Sequence, residues 1–262
     1  MPRPPSILSS FINGIDTCGK PSVLPRVHRG RERRIAEGTE ARPHSWPWIV
    51  WLIPVFQHKW TGEVLNGICG AAIIDSRHIL TAAHCMHRNS TFTLIAIYAQ
   101  IGIHDRSDWK NVGQLLALDV KYKQHPDYQP LNDAQMFNDI AVLKFKNGPI
   151  TFDNRVQPIC LPSAPLEKHT TCYSAGWGDD EYDRTTNLLM QTANVWGVDG
   201  ECSRIYSNST FQPQFDAKRG LCRRATTSLG MRPMQHTWDA CKLHIVDDIC
   251  VDGCPGLLFG PS

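Results

Sequence analysis

The chain has 262 residues, 42% of them hydrophobic and 20% charged, with a formal net charge of +2. Such a length and balance suit one large or two small globular domains with a sizeable core. They give no electrostatic case for nucleic acid or a membrane surface, and no stretch approaches the length of a membrane-spanning helix.

Residues 1–34 form a polar lead rich in proline and arginine, with Cys18 and the basic run Arg29-Gly30-Arg31-Glu32-Arg33-Arg34. By charge alone it reads as a disordered arm; the functional reading is a propeptide with an exposed, protease-sensitive linker. Met1 to Asn13 lacks the apolar core of about 7–15 residues that a signal peptide needs, so a start further upstream is expected.

Residues 35–160 alternate short apolar runs with turn clusters and show little helical period, which predicts antiparallel β structure. Strands are expected at Ile49–Val55, Gly67–Ile74, His78–Thr81, Thr93–Ile101, Gln114–Tyr122 and Ile140–Phe145. Six strands so spaced can close into a small barrel filled by its own side chains. Within them, Cys69 to Cys85 reads CGAAIIDSRHILTAAHC: two apolar runs around a turn at Asp75-Ser76-Arg77. A hairpin of that size brings its ends within disulfide reach, and a Cys69–Cys85 bridge would pin His84 beside it. Taken alone His84 is a packing or surface residue, and Asp139 a strand-entry aspartate.

Residues 161–171 read as a polar linker. Beyond it, Cys172–Gly178 and Leu188–Val198 read as strands, and Asp199 as the cap of a helix. Ten widely spaced cysteines point to disulfides and an oxidising compartment. Asn89-Ser90-Thr91 and Asn208-Ser209-Thr210 are glycosylation sequons, usable only if the chain is secreted.

Five stretches in fixed order resemble the trypsin- and chymotrypsin-like serine proteases. Arg34-Ile35-Ala36-Glu37-Gly38 resembles the activation cleavage site, and Pro43-His44-Ser45-Trp46-Pro47-Trp48 the entry to the first strand. Thr81-Ala82-Ala83-His84-Cys85 resembles the histidine motif and Asn138-Asp139-Ile140-Ala141-Val142-Leu143 the aspartate motif. Ser174-Ala175-Gly176-Trp177-Gly178 resembles the start of the second barrel. The resemblance covers roughly residues 35 to 222. It implies an all-β fold of two six-stranded antiparallel barrels, 35–160 and 172–262. It implies His84 as general base and acid, with Asp139 bonding the far ring nitrogen to fix its tautomer. It implies cleavage between Arg34 and Ile35, and disulfides Cys18–Cys160 and Cys202–Cys222 beside Cys69–Cys85.

After Asp239-Ala240-Cys241-Lys242 the resemblance fails. Those residues resemble the approach to the family's nucleophile, with Asp239 at the base of a pocket for Arg or Lys. The next residues are Leu243-His244-Ile245 in place of Gly-Asp-Ser, and no Gly-Asp-Ser-Gly-Gly-Pro occurs anywhere in the chain. The nucleophilic hydroxyl and the backbone donors of the oxyanion hole belong to that one missing turn. Residues 243–262 have no family counterpart, so the second barrel is expected to be incomplete. Ser228 and Ser262 lack the glycine context of a replacement nucleophile.

Cys172, Cys241, Cys250 and Cys254 have no assigned pairing. His244 with Cys250 and Cys254 lacks a fourth ligand for zinc, so no metal and no cofactor is expected. The reading is therefore a secreted, monomeric relative of serine endopeptidases whose partners are proteins or peptides and whose chain as written is inactive. Three accounts of that state stay open: a truncated or mis-spliced reading of an active protease, a non-catalytic binding or decoy homologue, and a chain that does not fold stably.

Overall fold

A computed structural model describes residues 18–26, 39–128, 138–161, 171–178, 186–196 and 223–225. Among the described residues twelve strands lie in two sheets, and helix is confined to turns at 83–86, 106–108 and 109–112. The strands are β1 (Thr39–Glu40), β2 (Ile49–His58), β3 (Val64–Asn66), β4 (Cys69–Ile73), β5 (His78–Thr81) and β6 (Phe92–Ile101). There follow β7 (Gln114–Leu118), β8 (Lys123–Gln124), β9 (Ala141–Lys144), β10 (Thr171–Gly176), β11 (Met190–Trp196) and β12 (Arg223–Ala225).

The first sheet runs β7-β6-β2-β4-β5-β9-β8, with β3 on β2, and every pair is antiparallel. It curls until its ends meet. Asp119 N donates to Lys144 O at 2.9 Å and Lys146 N to Ala117 O at 3.0 Å, so β7 and the end of β9 close the barrel. The six strands expected from apolar runs are those that make the ring; β5 keeps its expected bounds, β4, β6 and β9 differ by one or two residues, and β2 and β7 differ more. β2 continues to His58 through a bulge at Val55/Phe56, and β7 stops at Leu118. Gly67 sits where no side chain fits: a Cβ there would lie 2.9 Å from Pro54 Cγ.

Alternation decides what the barrel holds. Val50, Leu52, Ile73, Ile79, Ile97, Ile101 and Leu143 are shut off from solvent and form one core. Each such side chain contributes about 1.5–3 kcal/mol on burial, so this layer dominates the stability of the first half.

The second sheet has β11 at its centre, with β10 on one edge and β1 and β12 sharing the other. One element departs from the division expected at 35–160. β1, early in the chain, pairs with β11 (Thr39 opposite Gln191) and belongs to the second sheet. Two residues carry no period of their own; only a partner about 150 positions away makes them a strand.

Backbone and aromatic contacts join the halves. Arg106 N donates to Asn187 O at 2.8 Å, Leu189 N to His104 O at 2.9 Å, and Trp177 Nε1 to His104 O at 3.0 Å. Trp51 meets Trp177 edge-on at 5.8 Å, under the guanidinium of Arg106. Residues 18–26 do not read as a free arm. Cys18 is bonded to Cys160, Gly19 N donates to Pro158 O at 2.8 Å, and Arg42 reaches Leu24 O. The side chain of Gln191 accepts from Trp46 Nε1 at 2.8 Å and donates to Arg26 O at 2.7 Å.

Candidate active site

The histidine is placed by the hairpin that carries it. β4 is buried along its whole length, and Asp75 turns the chain by accepting from Arg77 N (2.6 Å) and His78 N (2.8 Å). β5 then returns against β4 and β9. Its last residue, Thr81, is fully buried and donates its hydroxyl to Gly70 O at 2.8 Å, which locks the end of β5 to the start of β4. Ala82 and Ala83 are small enough to lie wholly inside, and a single 3₁₀ turn over Ala83–Met86 swings His84 outward. The Cys69–Cys85 disulfide, with Cα atoms 6.2 Å apart, fastens that turn to the barrel.

Asp139 arrives from the opposite edge of β5. Asn138, in the left-handed region at φ 59°, is a residue type that tolerates this conformation, and Ile140 N closes back onto Asn138 O at 2.8 Å. The tight bend turns Asp139 toward His84 just before β9 begins.

One carboxylate then holds the histidine twice. Asp139 Oδ1 accepts from His84 backbone N at 2.7 Å, and Oδ2 lies 2.6 Å from His84 Nδ1. The aspartate side chain is only 4% exposed and that of the histidine 25%, so the pair is anchored inside with its ring at the surface. A ring donating Nδ1–H to the carboxylate carries its lone pair on Nε2. That nitrogen is 3.7 Å from Cys85 Sγ. The tautomer is the one a proton-accepting imidazole needs.

A second layer went unsignalled in the sequence. Tyr128 is buried against Ala83 and Ala141, and its ring packs on His87 at 5.4 Å. Burial first, then the Asp139 charge, pushes its phenol well above the ordinary tyrosine value, so it stays protonated at any physiological pH. His87 Nε2 meets Gln124 Oε1 at 2.8 Å and the Tyr122 hydroxyl at 3.2 Å. His125-Pro126-Asp127-Tyr128 reads as an ordinary turn, and nothing in its spacing ties it to His84.

Cys69, His84 and Cys85 are the one group of three potential metal ligands among the described residues. Both sulfurs are consumed in the disulfide, so neither is a thiolate that could take a metal. The structure thus brings together His84 with Asp139, Cys69 with Cys85 and Cys18 with Cys160. Arg34, Ile35, Cys202, Cys222, Asp239, Cys241, Cys250 and Cys254 lie outside the described residues, as does the helix expected at Asp199. Of Cys172 only the backbone, in β10, is described.

Residues 35–224 match the family model described as Trypsin. Chymotrypsin-C of Rattus norvegicus is 28% identical over 176 residues, covering 66% of this chain and 59% of that protein. The chain therefore spans less than two thirds of the length of that relative. A solved structure described as "Structure of GrC" superposes with a TM-score of 0.57 at 25% identity, covering 71% of this chain and 74% of the other.

Proposed function

This chain belongs to the trypsin family of serine proteases, and on that premise we propose that its first barrel carries the proton-transfer half of a peptide-hydrolysing site. His84 is the general base and acid, and Asp139 is the partner that fixes its tautomer and steadies the imidazolium. The observation that best supports this is the double hold of one buried carboxylate on His84, at 2.7 Å through the backbone and 2.6 Å through the ring.

The hydroxyl that such a base would activate is not in the chain in its family setting. Lys242 is followed by Leu243-His244-Ile245, and no serine lies between Gly-Asp and Gly-Gly. A base without a nucleophile and without an oxyanion hole gives no acyl-enzyme. The 262-residue form is accordingly read as one that holds proteins or peptides without cutting them. In the same reading Arg34–Ile35 is the bond cut on activation, Asp239 recognises a cationic side chain, and the protein acts outside the cell as a monomer.

A fluorophosphonate probe and Arg- and Lys-containing peptides test this on the full chain. Neither labelling nor cleavage is expected. Stoichiometric labelling that disappears in His84→Ala would overturn the non-cutting reading while keeping the role of His84. Peptide mass mapping of the protein from its own cells separates the accounts further. A peptide running from Cys241-Lys242 into Gly-Asp-Ser-Gly-Gly would reveal an active form, whereas one running through Leu243-His244-Ile245 supports the binding form.

A further inference from the structure

We propose that Asn89 carries an N-linked glycan whose first sugars lie over Trp60. The inference rests on the loop after the His84 turn and on the disulfides, and is independent of any catalytic reading.

Asn89-Ser90-Thr91 has the acceptor pattern Asn-X-Ser/Thr, and Asn89 and Ser90 are exposed. Asn89 Oδ1 accepts from Thr91 N at 3.1 Å and from Thr91 Oγ1 at 2.5 Å, while Phe92 N donates to Asn89 O at 3.2 Å. The carbonyl end of the amide is thus engaged by the residue that defines the sequon, and Nδ2 has no partner among the described residues. The two described disulfides suit an oxidising compartment, where the glycosyl donor also resides.

The neighbouring surface fits a sugar. Trp60 is 77% exposed, the most exposed large apolar side chain among the described residues. Its hairpin, 58–63, is tied to the sequon itself: Lys59 N donates to Thr91 O at 2.9 Å and Lys59 Nζ to Ser90 O at 2.7 Å. His58 stands between Trp60 (5.5 Å) and Phe92 (4.9 Å), both edge-on, and Arg88 caps the Phe92 ring. The result is a partly exposed aromatic cluster, bordered by cations, on a hairpin bonded to the segment that carries the sequon. The C–H face of a pyranose covers an indole while its hydroxyls stay in water.

The transfer balances with a lipid-pyrophosphate-linked oligosaccharide as donor. Asn89 Nδ2 forms a bond to C1 of the first sugar, the C1–O bond to phosphate breaks, and the lipid pyrophosphate leaves as Nδ2 gives up one proton.

The full chain, translated with microsomal membranes behind a cleavable leader, is read in the protease-protected fraction. The Asn208→Gln chain, which has lost the other sequon, is expected to keep a one-glycan mobility shift that peptide N-glycosidase removes. Adding Asn89→Gln or Thr91→Ala to it should abolish the shift, and adding Thr91→Ser should retain it. A protected Asn208→Gln chain with no shift would overturn the proposal. The second half is read by hydroxyl-radical footprinting of the secreted glycoprotein before and after enzymatic removal of the glycan. Oxidation of Trp60 should rise several-fold on removal; equal oxidation in both would mean that the sugars do not lie over Trp60.

Discussion

The two ends of β5 carry the same contact and use it differently. At its start, Asp75 accepts from His78 backbone N at 2.8 Å and meets the His78 ring at 2.9 Å. At its end, Asp139 accepts from His84 backbone N at 2.7 Å and meets the ring at 2.6 Å. The first carboxylate is three residues from its histidine and 22% exposed; the second is 55 residues away and 4% exposed. A histidine bonded to a carboxylate is therefore no sign of a site in itself. What distinguishes His84 is a carboxylate that has been taken from water by the barrel and can be satisfied nowhere else.

Perturbing each end tests that distinction. The largest effect is expected where the bridge holds the His84 turn. The Cys69→Ser/Cys85→Ser pair should lose about 3 kcal/mol in urea unfolding, the cost for a closed loop of this length. Asp139→Ala leaves two donors of His84 unmet in a partly buried setting and should cost about 2 kcal/mol. Asp139→Asn should cost less but reverse the ring: the amide donates, Nδ1 must accept, and the ¹⁵N shifts of His84 should show Nε2 protonated. Asp75→Ala removes only a half-buried turn contact and should cost about 1 kcal/mol, with the His84 resonances unmoved. If Asp75→Ala proved as costly as Asp139→Ala, burial would not be what separates the two ends.

A third histidine supplies the smallest effect. The Nδ1 of His44 is buried without a partner among the described residues. Burial first, then Arg155 and His104, hold its pKa below the ordinary imidazole value, with Asp153 opposing them. The unfolded chain therefore binds more protons just below about pH 6.5, and stability must rise with pH through the window ending there. In His44→Asn, a residue suited to the positive φ of 62°, the slope of Tm against pH across that window should flatten.

The ring of six strands was legible because each is a short, largely apolar run between turn clusters, alternating in burial in β5 and β9 and buried throughout in β4. β1, β3, β8 and β12 were not, because two or three residues hold no period and exist only through their partners. The Cys69–Cys85 bridge followed from the size of a hairpin. Cys18–Cys160 and the meeting of His84 with Asp139 came only through resemblance to the family, since separations of 142 and 55 residues carry no local signal. Tyr128 and Gln191 were missed altogether, for their roles depend on which side chains the closed barrel sets beside them.

Gln191 has a consequence in time. Its amide is satisfied at both ends only when Trp46, 145 residues away, and Arg26, 165 residues away, have both arrived, and the two bonds run in opposite senses. Among the described contacts these are of the longest sequence separations, and closing such long loops is entropically costly before other structure is in place. A contact absent from the rate-limiting state controls how fast the protein comes apart and leaves the speed of folding untouched. If both bonds are absent from that state, Gln191 is a clock on the lifetime of the joined halves. A glutamate in its place, able to accept but not to donate, would shorten that lifetime without delaying assembly.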